Sequence, residues 1–289
     1  MSMLADLTVT PLSPALGAEI SGVDLSRNVP DDVLEKIRAA WQKYNVLVIR
    51  GQDLTMEQQL AFASRFGELG ERKRQKTAFK KKEEGVYQTN PHTLLVTNIM
   101  VDGKPIGAFN EGDMWFHIDS GYAERPYKYT FLYGMELPST GGNTRFANTY
   151  TAYEKLPEDL KKQIEGRRAL HIHQYKRIEK VDLSVDISSS PHWYHPVVIT
   201  HPETGRKALF VDRLMTAAIE GLERAESDAL MEHLHDHVET PEFIYEHAWK
   251  LKDFLMWDNR CVVHGRTWFP EDERRLLRRC TIEGDRLSA

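Results

Sequence analysis

The sequence predicts a mainly β fold with helical decoration, in which two facing antiparallel sheets form a double-stranded β-helix, or jelly roll. Three observations predict it. Short runs with strand character recur along the 289 residues, punctuated by Gly, Pro and Asn. Helical periodicity concentrates near the N-terminus and in insertions between those runs. No repeat, low-complexity tract or linker divides the chain, so one domain over 1–289 is expected, and 41% hydrophobic residues suffice for its core.

In order along the chain, residues 7–10 alternate as a strand, Pro11 and Pro14 interrupt, and 17–25 is a second strand broken by Gly. Residues 31–44 form an amphipathic helix with Val33, Leu34, Ile37 and Trp41 on one face, after the start signal Pro30-Asp31. Val46-Leu47-Val48-Ile49 is a continuous apolar run and therefore a buried strand. Thr55 opens the next helix with Gln58 in capping-box spacing, and Gly67 ends it. Residues 71–85 are dense in Lys and Arg, a solvated loop in the plain reading and a cationic lid in the sharper one, with the lid or active-site loop placed around 70–112. Strand character resumes at 86–87, 94–99 and 114–120, and again at 127–134 and 144–146. Helical pieces follow at 149–156 and 157–164, a strand at 169–173 and a polar irregular stretch at 181–190. Paired strands are expected at 193–200 and 207–211 around the turn at 201–205. A helix over 227–238 precedes strands at 249–252, 254–257, 261–264 and 274–282.

The net charge of −5 argues against a nucleic-acid binder. Two cysteines, Cys261 and Cys280, are too few for a disulfide framework and fit a reducing compartment. Residues 1–10 carry Asp6 and no positive charge, unlike a signal or transit peptide, and no apolar run spans a bilayer. The expected setting is cytoplasmic, without membrane or nucleic-acid partners. A homo-oligomer, dimer or tetramer, is open.

The chemistry centres on His117-Ile118-Asp119. On a strand, i and i+2 point to one face, so the imidazole and the carboxylate project together while Ile118 packs the other way. They supply two of the three ligands of a two-His, one-carboxylate metal triad. Of the 12 His, His264 is the distinctive candidate for the third, because it follows the apolar strand end Cys261-Val262-Val263. His171 and His173 lack a carboxylate partner at convincing spacing; His192 and His195 read as structural; His233, His235 and His237 read as a solvated helix face. Arg275 and Arg279 share strand parity with Leu277, and two buried like charges call for an anion. The bland alternative is surface pairing with Glu271, Asp272, Glu273 and Glu283.

These residues in this order, with Arg65-Phe66-Gly67-Glu68-Leu69, Gly141-Gly142-Asn143-Thr144 and Trp257-Asp258-Asn259-Arg260, resemble the taurine dioxygenase-like family of Fe(II)/2-oxoglutarate-dependent dioxygenases. Arg275 and Arg279 follow His264 by eleven and fifteen residues, in keeping with that pattern. The resemblance implies that His117, Asp119 and His264 are catalytic iron ligands. It implies that Arg275 and Thr144 bind the distal carboxylate of the cosubstrate 2-oxoglutarate, and that Arg279 meets either the substrate's anion or the cosubstrate. It further implies O2 as a reactant and hydroxylation of a small anionic molecule, with decarboxylation of 2-oxoglutarate to succinate and CO2. Where taurine enzymes carry a substrate-binding His after Phe-Gly-Glu-Leu, this chain has Gly70-Glu71-Arg72-Lys73, which points away from taurine towards other sulfonates, aryloxyalkanoates or amino-acid-like acids. Trp115, Tyr122 and Phe109, with Phe79, are candidate aromatic walls for the substrate. Two other readings compete: a catalytically silent jelly-roll small-molecule binding protein, and a zinc hydrolase built on the same three ligands, which leaves Arg275 and Thr144 without a role.

Overall fold

Val46–Ile49 is buried at all four residues because both faces of the strand are covered. Val46 and Val48 enter one apolar cluster, Leu47 and Ile49 another. In the computed structural model, which describes residues 7–71, 90–108, 112–173 and 183–289, this strand lies inside a seven-stranded sheet. Its order is Thr8–Pro11, Ala18–Ser21, Val46–Ile49, Phe254–Asp258, Tyr129–Glu136, Leu276–Ile282, Thr93–Thr97. Only the Ala18–Ser21 and Val46–Ile49 pair runs parallel.

A four-stranded antiparallel sheet, Ile244–His247, Thr144–Asn148, Val262–Arg266 and Met114–His117, packs against its inner face. Phe116, Phe146 and Val263 of the small sheet meet Leu132, Leu255, Trp257 and Leu277 of the large one in a shared core. The Phe146 and Trp257 ring centroids are 5.3 Å apart. The jelly-roll expectation is therefore met, and the alternation of Leu255 and Trp257 inward with Phe254 and Met256 outward is the strand period at work.

The outer face of the large sheet is closed by the helices Asp31–Tyr44 and Met56–Ser64, through Leu34, Ile37, Trp41, Leu60 and Phe62. Asn45 ends the first helix in the left-handed region, φ 63°, which turns the chain straight into Val46. The expected capping box is present: the Thr55 side chain accepts from the Gln58 backbone, and the Gln58 side chain accepts from the Thr55 backbone. Among the described residues no helix is long and apolar enough to cross a membrane.

Three local expectations are corrected. The strand expected at 249–252 lies earlier, at Ile244–His247; Leu251 is exposed and Lys252 turns at φ 66°. The stretch 193–200 is two strands, not one: His192–Pro196 pairs Arg168–Ile172, while Val198–Thr200 pairs Lys207–Leu209. Thr216–Ile219, Ala-rich and without alternation, is an additional strand beside Arg168–Ile172. The Lys/Arg-rich 72–82 segment, Phe79 and Phe109 lie outside the described residues, as does much of the lid expected over 70–112.

Candidate functional site

His117 closes the strand Met114–His117 and stands directly opposite His264 on Val262–Arg266. Their ring centroids are 4.1 Å apart. Asp119 lies beyond the strand end, yet it projects beside His117 as the i, i+2 argument requires, and Ile118 packs into the core. The turn that follows is tied down by Ser120 at φ 57°, whose Oγ accepts from the Tyr127 N–H at 2.8 Å. One ligand atom each from His117, Asp119 and His264 lie within 4.8 Å of one another, and all three residues are buried.

The protonation states suit a metal. His117 Nδ1 is 3.0 Å from the Trp115 carbonyl, which can only accept, so Nδ1 carries the proton and Nε2 keeps its lone pair. Burial pushes the His117 pKa down, and burial with the neighbouring His117 pushes that of His264 well down. Burial would raise the Asp119 carboxyl, but Arg279, His264, His117 and the Thr130 hydroxyl together hold it at about 2. Two neutral imidazoles and one carboxylate form the donor set that suits non-haem Fe(II) and leaves coordination positions open.

Behind Asp119 runs a chain of side-chain hydrogen bonds. Trp257 Nε1 donates to Asn259 Oδ1 at 2.9 Å, Asn259 Nδ2 to Thr130 Oγ1 at 2.9 Å, and Thr130 to Asp119 Oδ2 at 2.7 Å. This fixes the carboxylate from one side, while Arg279 Nη1 takes its Oδ1 at 2.5 Å from the other. Thr130 carries no sequence signal; its partner Asn259 does, through the Trp-Asp-Asn-Arg tract. In that tract Asp258 accepts from Arg260 Nη2 at 2.6 Å and lies 3.0 Å from His201 Nε2, which locks the turn that delivers His264. Asp258, His201 and Cys261 also bring ligand atoms together. There, burial and Asp258 drive the Cys261 thiol well up and keep it protonated, and the Arg260 guanidinium already holds the carboxylate.

The arginines divide by face, as parity predicts. Arg278 points outward and donates to Gln59 Oε1 at 2.7 Å and to the Leu54 carbonyl at 2.9 Å. Arg275 is buried, donates Nε to the Gly142 carbonyl at 3.1 Å, and is pushed down to about 9 by burial and by Arg266. Arg275 and Arg278 are buried rather than paired at the surface, Arg279 pairs with Asp119, and Arg274 pairs with Glu136, which is none of the four carboxylates expected. Thr144, also buried, accepts from Trp249 Nε1 at 3.0 Å. Of the expected aromatic walls, Trp115 is 37% exposed, whereas Tyr122 is buried with Leu214 and Met215 and meets the His173 ring edge-on at 4.6 Å.

Two histidine readings change. His171 does have a carboxylate neighbour: Asp212 Oδ2 lies 3.7 Å from its Nδ1, supplied by a loop distant in sequence. His235 is buried rather than solvated, while His233 is exposed.

Residues 8–281 match the family described as taurine catabolism dioxygenase TauD, TfdA family. The chain is 34% identical over 286 residues to an (S)-phenoxypropionate/alpha-ketoglutarate-dioxygenase of Sphingobium herbicidovorans, covering 96% of this chain and 95% of that one. It is 33% identical over 304 residues to an alpha-ketoglutarate-dependent 2,4-dichlorophenoxyacetate dioxygenase of Cupriavidus pinatubonensis, covering 99% of each. The crystal structure of AAD-2 with Mn(II) and N-oxalylglycine superposes with a TM-score of 0.78 at 28% identity, covering 99% of this chain and 100% of that one.

Proposed function

Because the chain belongs to the taurine catabolism dioxygenase TauD, TfdA family, we propose that His117, Asp119 and His264 hold its Fe(II), and that Thr144 and Arg275 take the distal carboxylate of 2-oxoglutarate. The protein is an Fe(II)- and 2-oxoglutarate-dependent dioxygenase that hydroxylates a small anionic organic molecule and releases succinate and CO2. The observation that carries the site assignment is the buried grouping of two imidazoles and one carboxylate. Bound iron, with 2-oxoglutarate and O2, supplies the oxidising power for C–H hydroxylation.

The chain's own residues bind and orient. The Trp115 carbonyl and the Thr130 hydroxyl fix the ligating faces of His117 and Asp119, which keeps donor geometry set before any substrate arrives. Arg275, a buried fork, suits bidentate pairing with a carboxylate. Arg279 is bonded to the triad itself, and its side chain is 21% exposed, a position suited to steering an anion towards the metal.

For the substrate we favour an aryloxyalkanoate, the class named for two relatives that align over nearly the whole chain. Its carboxylate would meet Arg279, and Trp115 and Tyr122 would border its ring. Hydroxylation of the carbon that bears the ether oxygen gives a hemiketal or hemiacetal. Its C–O bond then breaks, the aryl oxygen takes the proton, and a phenol and a 2-oxo acid leave. The test is incubation with Fe(II), 2-oxoglutarate and O2 against a panel of phenoxyacetate, phenoxypropionate, taurine and an alkyl sulfate. Succinate and phenol released together with the phenoxy acids support the assignment; succinate stimulated by taurine or the alkyl sulfate alone refutes it.

A further inference from the structure

Arg266 has no part in the assignment above, yet its position is specific. It shares strand parity with His264, two residues earlier, and so faces the same way. In the register it stands directly opposite Thr144, and directly opposed residues in an antiparallel pair project side by side. Its guanidinium carbon lies 5.2 Å from the Phe269 ring centroid, and that of Arg275 lies 5.8 Å from the same ring. Arg266 is 6% exposed and Arg275 2%. Arg266 and Arg275 thus both lie against Phe269, and Arg266 stands beside Thr144 in the register.

Electrostatics are consistent with an anion there. Both guanidiniums are buried, which makes an anionic partner more valuable there than at the surface. Arg266 Nη2 donates to the Gly112 carbonyl at 2.5 Å, and Arg275 Nε to the Gly142 carbonyl. The Gly142 carbonyl is a neutral dipole. Among the described residues Arg275 forms no ion pair, and a buried guanidinium is relieved by a carboxylate partner.

We propose that Arg266 is a second binding guanidinium for the distal carboxylate of 2-oxoglutarate, acting with Arg275 and Thr144. The inference rests on the cosubstrate assignment made above and adds a residue to it. A carboxylate has about four acceptor positions, enough for two forks and a hydroxyl. A pocket built this way discriminates strongly for a cosubstrate with a distal carboxylate.

The test is calorimetric titration of the Mn(II)-loaded full-length protein, wild type against Arg266→Gln and Arg266→Lys. The ligands are 2-oxoglutarate and oxalate, which chelates a metal but carries no distal carboxylate. Loss of a charge-assisted bond predicts roughly 10- to 100-fold weaker 2-oxoglutarate binding in Arg266→Gln, with an intermediate loss in Arg266→Lys. Oxalate and Mn(II) affinities are expected to stay at the wild-type value. Unchanged 2-oxoglutarate binding in Arg266→Gln overturns the proposal, and so does an equal loss for oxalate, which would place the effect at the metal. Should Arg266→Gln not fold, Arg266→Lys decides alone: wild-type 2-oxoglutarate affinity there overturns the proposal. If wild-type protein bound oxalate but not 2-oxoglutarate, the cosubstrate assignment itself would fall, a result distinct from failure at Arg266.

Discussion

The Asp119 carboxylate is held at both oxygens, Oδ1 by Arg279 Nη1 at 2.5 Å and Oδ2 by the Thr130 hydroxyl at 2.7 Å. A buried carboxylate fixed at both ends cannot rotate away from His117 and His264. Its charge is also retained at any pH near neutrality, since it is held at about 2. Arg279 is also the side chain proposed to meet the substrate anion, so under that proposal substrate binding and ligand orientation would share one residue.

Thr130→Val keeps the shape of the side chain and removes the hydroxyl. Loss of a bond that orients a metal ligand typically costs about 10- to 100-fold in metal affinity. Asn259 Nδ2 loses its acceptor as well, at roughly 1–3 kcal/mol of stability. Mn(II) titration and urea unfolding of the metal-free protein measure the two effects; wild-type metal affinity would show that Asp119 is oriented without Thr130.

Arg279→Gln removes a charge from the triad and from the proposed substrate subsite. The KM for phenoxypropionate should rise about tenfold or more, the worth of a charge-assisted bond. An unchanged KM, with only kcat reduced, would confine Arg279 to Asp119.

Gly142→Ala tests the corner beneath Arg275. Gly142 sits at φ 65°, and an added Cβ would lie 3.0 Å from Arg275 Nε and 3.1 Å from its Cδ. The left-handed backbone alone costs about 1–2 kcal/mol for a residue with a side chain. Displacement of Arg275 should then raise the KM for 2-oxoglutarate while the KM for the organic substrate stays unchanged. Equal changes in both would point to a general loss of packing.

Stability should fall in mild acid. Burial, with His171 beside it, holds His195 down to about 3, against an ordinary 6.5. Between those values the unfolded chain binds a proton that the native state refuses. The His195 contribution is therefore complete above pH 6.5 and is lost as pH falls from 6.5 to 3, at about 1.4 kcal/mol per pH unit. The buried His117 and His264 act in the same direction. Urea midpoints of metal-free protein across this window should show a shallower slope in His195→Gln, which keeps a donor for the Ala123 carbonyl, 2.9 Å from His195 Nε2. An identical slope would mean that His195 is not held neutral.

The sequence made the site legible where local chemistry and strand period coincide. His117 and Asp119 project together by parity, and Arg275 and Arg279 separate from Arg278 by parity. What parity cannot supply is the partner across the sheet. Thr130 is a plain threonine in an apolar strand until the fold sets it against Asp119, and Asp212 reaches His171 only through the loop before Thr216–Ile219. Arg266 lay in view two residues from His264, but its relation to Thr144 is a matter of register, which one sequence does not reveal. The misplaced strand at 249–252 has the converse origin: an alternating tetrapeptide whose Leu251 side chain points to solvent.

The central claim is that His117, Asp119 and His264 bind the iron to which 2-oxoglutarate is added. Anaerobic titration of the protein with Fe(II) and then 2-oxoglutarate tests it most directly, read as a weak visible charge-transfer band. The account predicts a saturable band at one iron per chain in wild type and none in His117→Ala. A band of wild-type strength in His117→Ala, or its absence from wild type, would contradict it.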